Sequence, residues 1–165
     1  MNTSQRRKAC KALLKSEVFR DANYAAKCEE RYGGNAAGHV DHILDLETVA
    51  TVFSRHFGDK TLNQALAVMC VLNPVLNGKH NLCRISEDLN TKKRVTATRR
   101  SAAVKNYLLD GDVIRQVQRL FGALTALTQG GVPALPNEFL TDLSAEFSER
   151  HGFNFPNYPN HPGAF

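Results

Sequence analysis

The chain has 165 residues and a net charge of +5, with 42% hydrophobic and 22% charged residues. These values are ordinary for one globular domain and exclude wholesale disorder. No apolar run approaches the roughly 18–20 residues that a membrane span needs. The basic N-terminus leads into an amphipathic segment that contains Glu17 and Asp21, which argues against a secretory or mitochondrial leader. We therefore expect one cytoplasmic domain over residues 1–165, without membrane association.

The positive charge lies in two blocks of the sequence. Residues 1–31 contain eight basic and four acidic residues, and residues 79–105 contain eight basic and two acidic residues. A polyanionic partner fits this distribution. A solvated helix face with unbalanced charge explains it equally well from charge alone.

The first half of the chain is expected to be mainly helical. Apolar periodicity and β-branched runs predict a helix, a short strand and two further helices, over residues 5–31, 38–44, 47–57 and 60–72. Gly33-Gly34-Asn35 is expected to stop the first helix. Asp59 is placed to cap the last of these helices, and Asn73-Pro74 to end it.

The second half begins with a strand and continues with helices. The pattern predicts one strand, three helices and an irregular tail, over residues 81–85, 86–109, 112–128, 136–150 and 151–165. Ser86 is a good N-cap for the helix that follows the strand. The predicted fold class is therefore mainly α with a small β element, in which two short strands and the helix from Ser86 lie together.

Two short segments carry the residues with chemical potential. The first is His39-Val40-Asp41-His42-Ile43, and the second runs from His80-Asn81 to Asn90, with 38 residues between His42 and Asn81. An acid beside a histidine can hold a hard metal ion and present a base at the same place. An asparagine early in the following helix can add a second oxygen ligand. Together these residues predict metal-dependent hydrolysis of nucleic acid.

These segments resemble the motifs of the HNH, or His-Me finger, endonucleases. Val40-Asp41-His42-Ile43 resembles their first motif, and Asn81-Leu82, Ile85 and Asn90 fit the register of their second. The resemblance implies a ββα-metal core over residues 38–94, with a helical insertion at 47–72. The flanking helices at 5–31 and 112–150 lie outside the resemblance.

The resemblance also implies a role for each matching residue. His42 would be the general base, and Asn81 would brace the loop that orients it. Asp41 and Asn90 would be the metal ligands, for Mg²⁺ or alternatively Mn²⁺. Both are hard oxygen donors, which suit these ions.

Two further histidines and the cysteines complete the candidate ligands. His39 and His80 are candidate accessory residues, although simple exposed histidines fit them better. The resemblance implies a zinc-free member, because Ser86 and Leu89 stand where zinc-binding members have a pair of cysteines. No CxxC pair occurs among the four cysteines, which are Cys10, Cys28, Cys70 and Cys83. We expect them to be buried and reduced, with no structural zinc; one zinc bound by all four is the less favoured alternative.

Basic residues follow the second motif and are the predicted nucleic-acid contacts. They are Lys92, Lys93, Arg94, Arg99, Arg100 and Lys105. In one continuous helix, residues seven apart such as Lys92 and Arg99 would share a face. Such contacts bind phosphates and give affinity with little sequence information. The N-terminal basic block could form a second clamp, although a solvated helix face explains that block better.

The sequence therefore predicts a small HNH-type endonuclease that cleaves or nicks DNA with a divalent metal. A phage or mobile-element nuclease, acting in the cytoplasm of a host cell, matches the size by analogy. Two alternatives remain open. One is a non-catalytic helical DNA-binding protein, and the other is a protein-interaction module or inhibitor that uses the apolar faces of residues 112–150. The sequence leaves the oligomeric state and the target undetermined.

Overall fold

The computed structural model describes residues 2–19, 23–34, 38–130 and 135–154. Within these residues the chain is mainly helical with one small sheet, as the sequence predicts. The helices are α1 (Thr3–Phe19), α2 (Leu46–Phe57), α3 (Leu62–Leu76), α4 (Glu87–Arg94), α5 (Ala102–Leu108), α6 (Gly111–Gln129) and α7 (Asn137–His151). The strands are β1 (Glu30–Arg31), β2 (His39–His42) and β3 (Leu82–Ile85). Among the described helices, none combines the length and apolar character required to cross a bilayer.

The sheet contains both predicted strands and one more. Strands β2 and β3 pair antiparallel, with His42 opposite Leu82 and Val40 opposite Arg84. Strand β1 pairs parallel to β3 on its other edge, so the order is β1-β3-β2. The sequence predicted a sheet of two strands, and this prediction was wrong in the number of strands. Strand β1 has only two residues, which is too short to show a periodicity, so only its pairing with β3 identifies it as a strand.

The prediction of one helix over residues 5–31 was also wrong. Helix α1 reaches Phe19, a short 3₁₀ turn occupies Tyr24–Lys27, and β1 follows. Gly33 and Gly34 both have positive φ, as the predicted stop requires, while Asn35 lies outside the described residues.

The third helix differs at both ends from its prediction. Thr61, rather than Asp59, is the N-cap: its hydroxyl accepts from the Gln64 amide, and the Gln64 side chain accepts from the Thr61 amide. The helix continues through Pro74 to Leu76, and the amide of Asn77 still donates to the Asn73 carbonyl. A proline near the last turn removes a single donor, so the helix can extend past it.

The predicted helix over residues 86–109 is two helices. Ser86 caps α4 as expected, since its hydroxyl accepts from the Leu89 amide. Helix α4 ends at Arg94, and Ser101 caps α5. Between them, the Thr98 hydroxyl donates to the Lys92 carbonyl at 2.9 Å. This side-chain bond competes with the helical bonding that would otherwise join the two helices.

Helix packing buries an apolar core that supports the sheet. Helix α1 packs on α2, α2 packs on α7, and α3 and α7 both contact α6. The predicted helices at 47–57, 112–128 and 136–150 are confirmed as α2, α6 and α7. His151, predicted to begin the tail, instead ends α7 and is fully buried. The rest of the predicted tail from residue 155 onward lies outside the described residues.

Candidate active site

A cavity of about 510 Å³ brings the key residues of both motifs together. Asp41 and His42 line it from β2, and Asn90 and Arg94 line it from α4. The remaining lining residues are Lys15, Tyr24, Val40, Asp45, Leu46, Glu47 and Arg150. The antiparallel pairing of β2 with β3 aligns the two motifs, and the turn at Ser86 then directs α4 back along the strand pair. The 38-residue connection, which contains α2 and α3, does not prevent this pairing.

Asn81 holds the loop that follows His42. Its side chain is fully buried. Its Oδ1 accepts from the Leu44 amide at 2.8 Å, its Nδ2 donates to the Leu76 carbonyl at 3.0 Å, and its own carbonyl accepts from the Ile43 amide at 2.8 Å. This is the bracing geometry that the second motif led us to expect of Asn81.

His42 is nearly buried at the edge of the cavity. Its Nε2 lies 2.8 Å from Asn77 Oδ1, and its ring packs 4.9 Å from the ring of Tyr24. With the amide oxygen as acceptor, Nε2 is the donor in this bond. Burial lowers the pKa of His42 and the nearby Lys93 ammonium acts in the same direction, although the bond to Asn77 opposes them. His42 is therefore neutral at pH 7, as a general base must be.

Asp41 is buried and already bonded to two donors. Its Oδ1 and Oδ2 lie 3.1 Å and 3.0 Å from Lys93 Nζ, and the Tyr107 hydroxyl donates to Oδ2 at 3.0 Å. Burial raises the pKa of Asp41, whereas the Lys93 ammonium lowers it. Burial likewise raises the pKa of Tyr107 well above its usual value, so its hydroxyl remains a donor.

Lys93 corrects one of the predicted DNA contacts. Its side chain is 0% exposed, and its ammonium also donates to the His42 carbonyl and to Asp45 Oδ1, both at 2.8 Å. Burial alone would lower the pKa of Lys93, but Asp41 and Asp45 raise it, so the ammonium stays charged. Lys93 follows Asn90 by three positions and points with it toward β2, because residues three apart share a helix face.

Asp45 and His151 extend this buried network, and no sequence pattern indicated that either residue belongs to it. His151 is fully buried, with Nε2 2.6 Å from Asp45 Oδ2 and Nδ1 2.9 Å from the Arg99 carbonyl. Burial would raise the pKa of Asp45, but Lys93 and His151 together hold it well below its usual range. Arg150 Nε is buried and lies 3.7 Å from Asp45 Oδ2, and within the described part of the chain it makes no hydrogen bond. A histidine at a helix end resembles a surface residue in sequence, so only packing reveals the cluster.

The other predicted contacts do not share one helix face. Lys92 is on α4 and pairs with Asp88 at 3.0 Å, whereas Lys105 is on α5. Arg99 and Arg100 lie in the connection between these helices, so the expected seven-residue repeat is broken. Arg94, one of the predicted contacts, lines the cavity itself.

The two accessory histidines are separated. His39 is exposed on β2, and its Nδ1 lies 3.5 Å from Asn90 Nδ2, which is a weak contact at the limit of hydrogen bonding. His80 lines a different, smaller cavity beside Lys79 and Arg119. His39 therefore adjoins the candidate site, and His80 does not.

The donors in the cavity suit a hard divalent ion. An ionised carboxylate offers about four lone-pair positions. Lys93 and Tyr107 use two of those on Asp41, and Asn90 can supply an amide oxygen. Mg²⁺ commonly binds one or two protein oxygens and keeps several waters. Within the described residues, no cluster of three or more His, Cys, Asp or Glu side chains could hold a metal. The chemistry of the pair Asp41 and Asn90 thus fits Mg²⁺ or Mn²⁺ bound largely through water and substrate.

The four cysteines are all free thiols. Cys10 and Cys83 are buried as expected, but Cys28 is only half-buried and Cys70 is exposed. Burial raises the pKa of Cys83 to about 12, so this thiol is unreactive at neutral pH.

Comparison of the chain with protein-family models, with curated proteins and with solved structures gave no match.

Proposed function

We propose that this protein is a metal-dependent endonuclease of the HNH type that hydrolyses phosphodiester bonds in DNA. One observation carries the proposal: the neighbouring residues Asp41 and His42 line the same cavity as Asn90, which is 48 residues further along the chain. Two paired strands and the helix that follows them bring these residues together, which is the order of elements in the ββα-metal fold. The bracing of the loop after His42 by Asn81 is a second, independent point of support.

In the proposed reaction, His42 removes a proton from the attacking water. The neutral ring can accept this proton, and the bond between Nε2 and Asn77 fixes the ring orientation. Positioned general bases of this kind contribute about 10²–10⁴-fold to a rate. A divalent ion held by Asp41 and Asn90 would supply charge neutralisation at the phosphate and at the leaving oxygen.

Basic side chains around the cavity would orient the scissile phosphate. Lys15, Arg94 and Arg150 line it from α1, α4 and α7. Arginine offers several donors in a planar fork that matches phosphate geometry. Arg150 also lies 3.7 Å from Asp45, and Lys15 pairs with Glu47. The cations would contact the phosphate while balancing the carboxylates of Asp41, Asp45 and Glu47 in the same lining.

One observation favours a second candidate function, a DNA-binding protein without catalysis. The Asp41 carboxylate is already neutralised by Lys93 and bonded by Tyr107. A metal ion at Asp41 must therefore tolerate a buried ammonium close by. In a protein that only binds DNA, the same contacts would serve stability alone.

A plasmid-cleavage assay separates the two functions. The purified chain is incubated with supercoiled plasmid in Mg²⁺, in Mn²⁺ and in EDTA, and nicked and linear products are quantified. We expect cutting only with metal, and a loss of about 100-fold or more in His42→Ala, because the general base is removed.

His80→Ala is the matched control, because it removes a histidine that lines a different cavity. It should cut like the unaltered protein. Circular dichroism of both variants verifies folding. Full cutting by His42→Ala would contradict the role of His42, and DNA retention without cutting under any condition would support the binding protein.

A further inference from the structure

We propose that a basic groove between α1 and α2 carries the nucleic-acid backbone away from the candidate active site. The inference rests on the proposed function, because it identifies where the substrate of that site would lie. The groove is formed by the N-terminal helix and by the first inserted helix, neither of which belongs to the HNH-like motifs.

The groove has a volume of about 540 Å³ and a basic lining. Five cations and one acid contribute to it: Arg7, Lys8, Lys11, Lys15, Arg55 and Glu47. Arg55 is also paired with Glu146 of α7 at 3.0 Å. A polyanion with regularly spaced charges is the complementary ligand. Backbone contacts of this kind release counterions and are independent of base sequence.

The groove adjoins the active-site cavity. Lys15 and Glu47 line both spaces. A strand whose scissile phosphate lies beside His42 would pass Lys15 to reach the groove. This shared lining distinguishes the α1–α2 groove from an isolated basic patch.

The cations along α1 are spaced to follow a phosphate chain. Arg7, Lys11 and Lys15 are four residues apart and lie on one side of the helix. At 1.5 Å per residue, they span about 12 Å along the axis. One strand of duplex DNA carries a charge every ~3.4 Å along its axis, so about three to four phosphates would fit beside them.

Contacts with α2 fix the inner part of this row. Lys11 Nζ lies 2.6 Å from Glu47 Oε1, and Lys15 pairs with the other oxygen of Glu47. At the outer end, a Cβ added to Gly58 would lie 3.1 Å from Arg7 Cγ, which shows how closely α1 approaches the end of α2. Arg7 and Lys8 are themselves exposed and available to a ligand.

Binding of a fluorescently labelled DNA duplex tests the groove. Arg7→Gln/Lys8→Gln is compared with the unaltered full chain by fluorescence anisotropy over a series of salt concentrations. Arg115→Gln/Arg119→Gln is the matched control, since it removes the same charge from α6, where these residues line another cavity. We expect about tenfold weaker binding in the groove variant and a fall of ~1–2 in the slope of log K against log salt. The control should change little.

Equal losses in the groove variant and the α6 control would overturn the proposal, because net charge alone would then explain binding. Binding of labelled polyglutamate without binding of DNA would also overturn it, in favour of an acidic protein partner.

The binding assays are repeated in His42→Ala and without metal. If the groove variant binds DNA more weakly but no variant shows metal-dependent cutting, the nuclease proposal fails and the groove remains a DNA-binding surface. If cutting depends on His42 but the groove variant binds DNA as well as the unaltered protein does, the groove proposal fails and the nuclease proposal stands.

Discussion

Lys93 is the residue on which the candidate site depends most. Its ammonium lies within 3.1 Å of Asp41, Asp45 and the His42 carbonyl, and its side chain has no exposed surface. Two buried carboxylates would be very costly without a cation between them. Lys93 therefore both stabilises the fold and sets the electrostatics around Asp41.

Lys93→Met is expected to destabilise the protein by about 3–5 kcal/mol, because it leaves two buried carboxylates without their shared cation. Urea unfolding followed by circular dichroism measures the change. The neighbouring Lys92→Met is the control: Lys92 forms a half-exposed pair with Asp88, which contributes about 0.3–0.5 kcal/mol. Similar losses in the two variants would contradict the network described for Lys93.

The difference in burial between Lys92 and Lys93 could not be predicted from the sequence. Lys92 and Lys93 stand in the same polar run, and a lysine in such a run is normally exposed. The partners that bury Lys93 are 52 residues earlier in the chain, so local periodicity carries no trace of them.

At the scale of elements, α1 and α2 are joined by a small cluster of ion pairs. Glu47 in the first turn of α2 bonds both Lys11 and Lys15 of α1. Burial opposes ionisation of Glu47, but bonds from the two lysines lower its pKa below the usual value. The charge of Glu47 thus supports the packing of α1.

The contribution of Glu47 to stability should depend on pH. Because its folded pKa is lowered, the contribution is present above the unfolded pKa of about 4.3 and is lost as pH falls through the folded value. The difference in unfolding free energy between the unaltered protein and Glu47→Gln should therefore be larger at pH 7 than at pH 3.

Because these side chains are about one-third exposed, the difference at pH 7 should be only about 0.2–1 kcal/mol. Urea unfolding at both pH values measures it, and 1 M salt should reduce it further. A difference that is constant with pH would contradict the ionic role of Glu47.

The sequence predicted individual elements well where their signal was local. Apolar periodicity located α2, α6 and α7, and Ser86 correctly marked the start of α4. Prediction from sequence failed where a side-chain bond competed with the helix. At Thr98 the hydroxyl donates to the Lys92 carbonyl and helps to end α4.

At the scale of the whole molecule, one buried network connects the sheet to the C-terminal helix. Asp41 of β2 contacts Tyr107 of α5, and Asp45 before α2 contacts His151 of α7, across separations of 66 and 106 residues. Both bonding partners of His151, a carboxylate and a carbonyl, can only accept hydrogen bonds. The imidazole of His151 therefore bridges α7 to the loop before α2 and to the connection between α4 and α5.

His151→Phe is expected to cost about 3–5 kcal/mol, because it preserves volume but leaves Asp45 without one of its donors. Amide hydrogen exchange provides a second measurement. If the network couples distant elements, exchange should accelerate in β2 and α4 as well as in α7. Faster exchange confined to α7 would contradict that coupling.

The sequence by itself determined the helical class, the positions of α2, α6 and α7 and the start of α4, because these depend on neighbouring residues. It also identified Asp41, His42, Asn81 and Asn90 as a set. Only the tertiary structure decided which side chains surround that set. The roles of Tyr107, Lys93 and His151 arise from burial and from contacts across 52 to 106 residues. Such contacts leave no local pattern, because the free energy that selects them comes from packing of the whole chain.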